Sequence, residues 1–379
     1  ASFGYKGTAF VEVTGRNDWF STVSVPIFYP SVTFSYVFTN SFKNLPSWFS
    51  YGKLRAGWAQ VGNDASAYVL KTYPDVYQSF RGSQYYLVPT EKKNPDLRPE
   101  IKETKEAGID LQFFNSRLSL GFSYYDILSK DLILYMPMDA SNGYTYKKVN
   151  SGEMSNKGFE VTLSATPIQT DKFAWYLDWN ISRNRNKLIK LAPGLSRYKV
   201  TWDYYANVEL YAIEGRPFGE MYGGNYVYDD AGNRLVDENG FYLRSKDKEV
   251  LGNINPEFTT GLTNTFTYGN FSLSFTFDYQ HGGSYYAGAY ALGMYAGSIR
   301  ETVANGMRER DANGPNGQKG IVLDGVVARV ESDGTIVSTG VKNTKAISPK
   351  EYGSTFYKGI DEQAIFDATF LKLRSVSLS

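Results

Sequence analysis

Along several stretches of this chain, large apolar residues fall on every second position and small or polar residues fill the gaps. From Phe271, one phase reads Phe271, Leu273, Phe275, Phe277, Tyr279 and the other Ser272, Ser274, Thr276, Asp278, Gln280. The beat returns as Leu118, Leu120, Phe122, Tyr124 against Ser119, Gly121, Ser123, and as Ala107, Ile109, Leu111, Phe113 against Glu106, Gly108, Asp110, Gln112. It returns again as Trp175, Leu177, Trp179, Ile181 against Tyr176, Asp178, Asn180. Successive side chains on a strand point to opposite faces, so each stretch is a strand with one greasy and one wet face. Runs of about 9–11 residues suit a tilted strand crossing a bilayer.

Composition narrows the alternatives. No run of roughly 20 apolar residues occurs, so a helical membrane protein is excluded. An aromatic share of 16% with 36 glycines is compatible with a barrel, whose other face and loops are polar. The 40 basic and 39 acidic side chains nearly cancel, and no basic block tracks phosphates, so nucleic acid is not an expected partner. Zero cysteines remove disulfides, thiolate nucleophiles and Cys-ligated zinc. Ala1-Ser2-Phe3-Gly4-Tyr5 resembles no signal peptide, and Ser379 falls inside an alternating stretch. Both ends therefore read as cuts through a larger protein.

Ten strands are expected, at about 3–15, 30–39, 51–61, 103–113, 117–125, 159–166, 173–183, 257–267, 271–281 and 367–379. Some joins are tight and carry hairpin residues, as at Phe114-Asn115-Ser116-Arg117 and Tyr268-Gly269-Asn270. Others are long: 62–102, 126–158, 184–256 and 282–366. Short and long joins alternate after residue 39, which is the asymmetry of an outer-membrane barrel with brief periplasmic turns and extended outer loops. Turn chemistry recurs within the loops at Asp229–Asn233, Asp237–Gly240, Asp311–Gly314 and Ser332–Thr335, the last expected to cap a small hairpin between 326–330 and 336–337.

Alternation leaves open which face is buried. A lipid-facing apolar phase is favoured because the polar phase carries Lys53, Arg55, Glu106, Asp110, Glu160, Asp178 and Asp278, which a wet lumen accepts. Aromatics near strand ends (Tyr124, Tyr125, Phe159, Trp175, Tyr279, Phe366, Phe370) read as interfacial girdles. Ordinary half-buried strands of a large soluble β protein are the competing reading. Three residues break the pattern: Lys105 and Asn264 fall on apolar phases, and the beat shifts between Leu373 and Val376, where a bulge would account for it.

Catalytic signals are sparse. His281 is the single histidine, lies at a strand end beside Gly282-Gly283, and has no Gly-x-Ser-x-Gly elbow to serve. The acidic stretch 229–240 lacks the spacing and closing Glu of a calcium loop, so turn chemistry explains it better. No cofactor, metal or catalysis is expected. Two tyrosine clusters are the candidate binding residues: Tyr222 and Tyr226 beside Gly223-Gly224, and Tyr285, Tyr286 and Tyr290 within the run 282–297. Tyrosine offers a flat apolar face and a hydroxyl for sugars or peptides, although packing between loops uses the same properties.

Longer motifs carry a family resemblance. Lys53-Leu54-Arg55-Ala56-Gly57-Trp58-Ala59-Gln60-Val61-Gly62-Asn63-Asp64 and Asn94-Pro95-Asp96-Leu97-Arg98-Pro99-Glu100 resemble stretches of SusC-like TonB-dependent transporters. So do Glu106–Asp110, Gly152-Glu153 with Asn156–Val161, Glu214–Gly219, and Asp367-Ala368 with Phe370–Arg374. The resemblance implies an all-β fold: part of a large antiparallel transmembrane barrel of about 22 strands with long extracellular loops. Residues 1–379 would form part of its carboxy-terminal half, without plug, amino-terminal domain or last hairpin.

The resemblance further implies TonB-dependent import of large nutrients, oligosaccharides or peptides, across the outer membrane of Bacteroidota. The implied partners are a SusD-like surface lipoprotein acting as a lid, the TonB–ExbB–ExbD complex reached through parts outside this chain, and a second transporter–lipoprotein pair in a dimer. A β-rich surface glycan-binding protein without transport is the alternative, and an outer-membrane enzyme a weaker third.

Overall fold

The computed structural model describes residues 1–379 apart from 24, 43, 73–74, 88, 203–206, 305–319 and 358. Alternating residues assemble into one antiparallel sheet whose eleven strands neighbour each other in chain order. They are β1 (Ser2–Tyr5), β2 (Ala9–Asp18), β3 (Ile27–Val37), β4 (Phe49–Asn63), β5 (Glu100–Phe113), β6 (Leu118–Lys130), β7 (Glu153–Gln169), β8 (Phe173–Lys190), β9 (Phe258–Tyr268), β10 (Phe271–His281) and β11 (Phe370–Leu378). The expected single strand over 3–15 is two, hence eleven strands in place of ten. The chain reverses at Lys6 and Gly7, both at positive φ, and Tyr5 pairs with Ala9. The alternation runs through the hairpin unbroken, which hides the turn.

Register makes the apolar phases into one surface. Val11 pairs Phe34, Phe34 pairs Ala56, and Leu54 pairs Ile109. Ile109 pairs Phe122, Phe122 pairs Val161, and Val161 pairs Ile181. Trp179 continues to Leu262, Leu262 to Phe277, and Phe277 to Leu373. A slip of one residue between any two strands would turn one strand's apolar row to the wet side. Among the described residues no second layer covers this surface: Phe34, Leu54, Phe122, Leu273 and Leu371 are exposed. The dry clusters lie in the connections or where a strand end meets them, for example Leu188 at the end of β8 with Leu191 and Ala212, or Ala291, Met294, Phe356 and Ala364.

Aromatic pairs edge the apolar belt at both ends. At the short-turn end Trp48 stacks on Phe113 with centroids 5.9 Å apart, and Trp175 on Phe266 at 5.8 Å. At the other end Phe122 stacks on Phe159 at 6.5 Å, and Phe258 meets Tyr279 at 5.9 Å. Three of the expected girdle residues sit elsewhere. Tyr125 is on the polar phase, its hydroxyl 3.3 Å from Asn184 Oδ1. Phe370 pairs Gln280 on the polar phase, and Phe366 stacks on Tyr285 in the connections. Adjacent aromatics cannot share a face on a strand, so Tyr124 and Tyr125 divide between the two.

The three irregular positions have separate explanations. Lys105 pairs Asp126, and Asp126 pairs Lys157, so Lys105 belongs to a charged row just beyond the belt. Asn264 lies within the belt, but it is buried and its Oδ1 accepts a 3.0 Å hydrogen bond from the Trp175 indole N–H. Arg374 is the extra residue of a bulge: Thr276 pairs Ser375 while Phe277 pairs Leu373. Its guanidinium reaches Asp278 at 3.4 Å.

The long joins are folded. Ile133–Pro137 pairs with Tyr146–Asn150, and Arg197–Trp202, Glu209–Ile213, Glu220–Gly223 and Glu249–Asn253 form a four-stranded sheet. Val326–Val330 and Ile336–Lys342 make the expected hairpin around Asp333-Gly334. The turn at Asp311–Gly314 lies outside the described residues. Trp175→Phe removes the one donor seen on the Asn264 carbonyl and should cost about 1–3 kcal/mol; adding Asn264→Leu should recover most of it. Denaturant midpoints of the refolded full-length protein check both.

Candidate functional site

The polar face is a wall of short hydroxyls and amides around paired charges. Arg55 lies flat across β5 because Gly108 beneath it has no side chain; a Cβ there would sit 2.9 Å from the guanidinium carbon. From that position Arg55 reaches Glu106 at 2.9 Å, Asp110 at 3.4 Å and the Ser123 hydroxyl at 2.5 Å. Nearby, Lys102, Glu106, Tyr125, Asn156, Glu160 and Asn184 border a groove of about 590 Å³. Such a surface can hydrogen-bond a polar chain sliding past it. His281 is exposed at the end of β10, its Nδ1 3.3 Å from the Tyr279 hydroxyl.

The five candidate tyrosines fall in the connections. Tyr226 is buried: it packs edge-on to Tyr242 at 4.9 Å, under the Arg234 guanidinium at 4.2 Å, and burial raises its hydroxyl pKa. Tyr290 meets Phe356 and Phe366 edge-on at 5.8 and 5.2 Å, and Tyr286 packs on the cluster around Met294. Tyr285 is half exposed, at 50%, and stacks on Phe366. Phe366 thus unites Tyr285 and Tyr290. Tyr222 stands apart, half-buried, donating its hydroxyl to Glu220 at 2.8 Å; burial first, then that carboxylate, pushes its pKa up to about 12.

A second aromatic group escapes any local reading of the sequence. Tyr135, Tyr146, Tyr198 and Tyr211 wall a cleft of about 660 Å³, with Arg197 and Lys199 on its rim. Tyr135 meets Tyr146 edge-on at 5.2 Å, Arg197 covers Tyr211 at 5.0 Å, and Tyr222 backs Tyr211 at 5.5 Å. These tyrosines come from four separate strands in two small sheets, two from each, so no local run of sequence brings them together. Aromatic faces beside cations suit the apolar sides and anionic groups of a sugar or peptide.

Two clasps hold the connections. Asp361, 4% exposed, accepts the Gly224 N–H at 2.7 Å, and Glu362 accepts the Tyr226 N–H at 3.0 Å and the Tyr228 hydroxyl at 2.9 Å. Burial raises the Asp361 pKa, only partly offset by the Gly224 amide and Arg244. Beside the cleft, burial also pushes the Glu209 carboxyl up, but hydrogen bonds from Lys199, Lys248 and Tyr211 outweigh it and hold it at about 2, against an ordinary 4.5. A depressed acid stabilises the fold fully above its unfolded value and loses that contribution as pH falls through its folded one. Amide-exchange protection of Glu209–Ile213, corrected for intrinsic rates, should therefore be level above pH 4.5 and decline towards pH 2. In Glu209→Gln this step should vanish.

Comparison with known proteins agrees with this architecture. The family model described as TonB dependent receptor-like, beta-barrel matches residues 4–299. TonB-dependent receptor P3 of Formosa agariphila is 30% identical over 256 residues, covering 61% of this chain and 26% of the relative. TonB-dependent receptor SusC of Bacteroides thetaiotaomicron is 29% identical over 248 residues, covering 59% and 24%. A solved structure described as the RagAB peptide transporter superposes on all of this chain and 40% of its own, with a TM-score of 0.69 at 19% identity, a likeness of fold. The chain spans about a quarter of the length of the two curated relatives. With its eleven-stranded meander and a family match over most of its length, this chain belongs to the TonB-dependent receptor-like β-barrels.

Proposed function

We propose that this chain is part of the wall and outer loops of an outer-membrane importer that takes up large nutrients, oligosaccharides or peptides, without catalysis. The observation that carries the reading is the continuous, mostly apolar surface shared by strands from β1 to β11, exposed and edged by aromatics. Water penalises such a surface; hydrocarbon does not. The opposite face, with Arg55, Glu106 and Asp178, would line the route. Among the described residues β1 and β11 each pair on one side only, and unpaired backbone groups are costly in lipid, so strands outside this chain would complete the wall.

Import needs an energy source, because the outer membrane holds no usable gradient; the TonB–ExbB–ExbD complex would supply it by pulling on a plug outside this chain. A SusD-like lipoprotein would close over the loops, in a dimer of transporter–lipoprotein pairs. RagAB is described as a peptide transporter, which makes peptides one cargo class to test here. Among the five candidate tyrosines, Tyr285 has the exposure to touch cargo, and Tyr222 would support the cleft through Tyr211. Tyr226, Tyr286 and Tyr290 would act by holding the loops.

This chain contributes no thiol of its own, so cysteines introduced into it can be tested in the full-length protein on intact cells against the unaltered protein as background. Asp230→Cys and Asp333→Cys should both react with a membrane-impermeant thiol reagent; silence at both would contradict an outer position for these loops. Phe275→Arg, a charge facing lipid, should cost about 2–4 kcal/mol near the midplane. Thr276→Arg on the wet face should assemble normally, and equal damage from both would overturn the facing.

A further inference from the structure

Just beyond the aromatic edge of the belt, at the long-connection end, the apolar phase of four neighbouring strands turns charged, with cations on three of them and Asp126 on the fourth. Lys105 on β5 pairs Asp126 on β6; Asp126 pairs Lys157 on β7; Lys157 pairs Arg185 on β8. One step nearer the belt Arg183 stands beside Phe159, and one step farther Lys187 stands beside Ser155. All five cations are exposed.

Carboxylates answer only some of them. Lys157 meets Asp126 at 2.8 Å, Arg185 meets Glu257 at 3.4 Å, and Glu103 is shared between Lys105 at 3.5 Å and Lys130 at 3.2 Å. Among the described residues Arg183 and Lys187 have no carboxylate partner. The opposite end of the same strands carries Phe113, Leu118, Ile168 and Phe173 on this phase, with no charge. The asymmetry is therefore between the two rims of one surface.

We propose that this rim binds the phosphorylated headgroup of a lipid in the leaflet on the long-loop side, its acyl chain lying along Phe159, Phe122 and Val161. Lys157 and Arg185 are cross-strand partners and Arg183 lies two residues along β8; adjacent strands are about 4.8 Å apart and two residues span about 7 Å, so all three long side chains start within reach of one phosphate and its ester oxygens. Arginine meets phosphate oxygens in pairs, and the stacked rings of Phe122 and Phe159 give the chain an apolar track directly below. Basic residues near an anionic membrane surface each add to its attraction. The proposal rests on the membrane-spanning reading given above.

The test reconstitutes the full-length protein, unaltered or with Lys157→Ser, Arg183→Ser and Arg185→Ser together, into phosphatidylcholine vesicles. The vesicles carry either a phosphorylated disaccharide glycolipid or the same lipid dephosphorylated. Insertion is scored first by heat-modifiable electrophoretic mobility, and retained lipid then by native mass spectrometry. The unaltered protein should retain the phosphorylated lipid at least about five-fold over the dephosphorylated one. The triple variant should lose that preference, and Lys157→Arg should keep it. Insertion with equal retention of both lipids, or an unchanged preference in the triple variant, overturns this proposal alone. Complete displacement of the lipid by millimolar inorganic phosphate would reduce the rim to an ion site and also overturn it. Failure of the unaltered protein to insert would overturn the membrane reading and this proposal with it.

Discussion

Cross-strand register is the constraint on which the rest of the structure depends. A strand alternates its side chains by geometry, but only pairing decides whether neighbouring strands alternate in step. Here they do, from Val11 and Phe34 at one end of the sheet to Phe277 and Leu373 at the other. The apolar surface, the polar wall and the charged rim are three readings of that one alignment. Even the bulge at Arg374 serves it: were the strand regular through Arg374, Leu371 and Leu373 would be out of phase with Val376 and Leu378.

Strand stretches were legible because their evidence is local. Period-two patterning located nearly every wall strand, and the contrast of Tyr268-Gly269-Asn270 with the connection after His281 indicated which joins are long. The misses occurred where local pattern is silent. The reversal at Lys6-Gly7 preserves the alternation, so nothing in the spacing marks it. Asn264 looked like a defect because its partner Trp175 lies 89 residues away. Tyr125 and Phe370 lie on the polar phase and not in the girdle, because an aromatic near a strand end says nothing of its face until the register is known.

The connections were less legible, for a physical reason. Their tyrosines serve two purposes with the same chemistry, and burial separates them. The cluster at 285–290 was visible as a run, yet within it Tyr285 is exposed while Tyr290 is wedged between Phe356 and Phe366. The cleft walled by Tyr135, Tyr146, Tyr198 and Tyr211 had no run to betray it. Turn chemistry was more informative: Asp229, Asp237 and Asp333 each accept backbone N–H groups of the residues that follow, as turn-forming carboxylates do.

The clasp at Asp361 and Glu362 has a mechanical consequence. Two excursions of the chain that leave the wall at different places are pinned to one another at Gly224, Tyr226 and Tyr228. Neither can swing by itself without stripping a buried carboxylate of its amide. The upper storey of the molecule accordingly moves as a coupled pair, and a push delivered at one excursion arrives at the other.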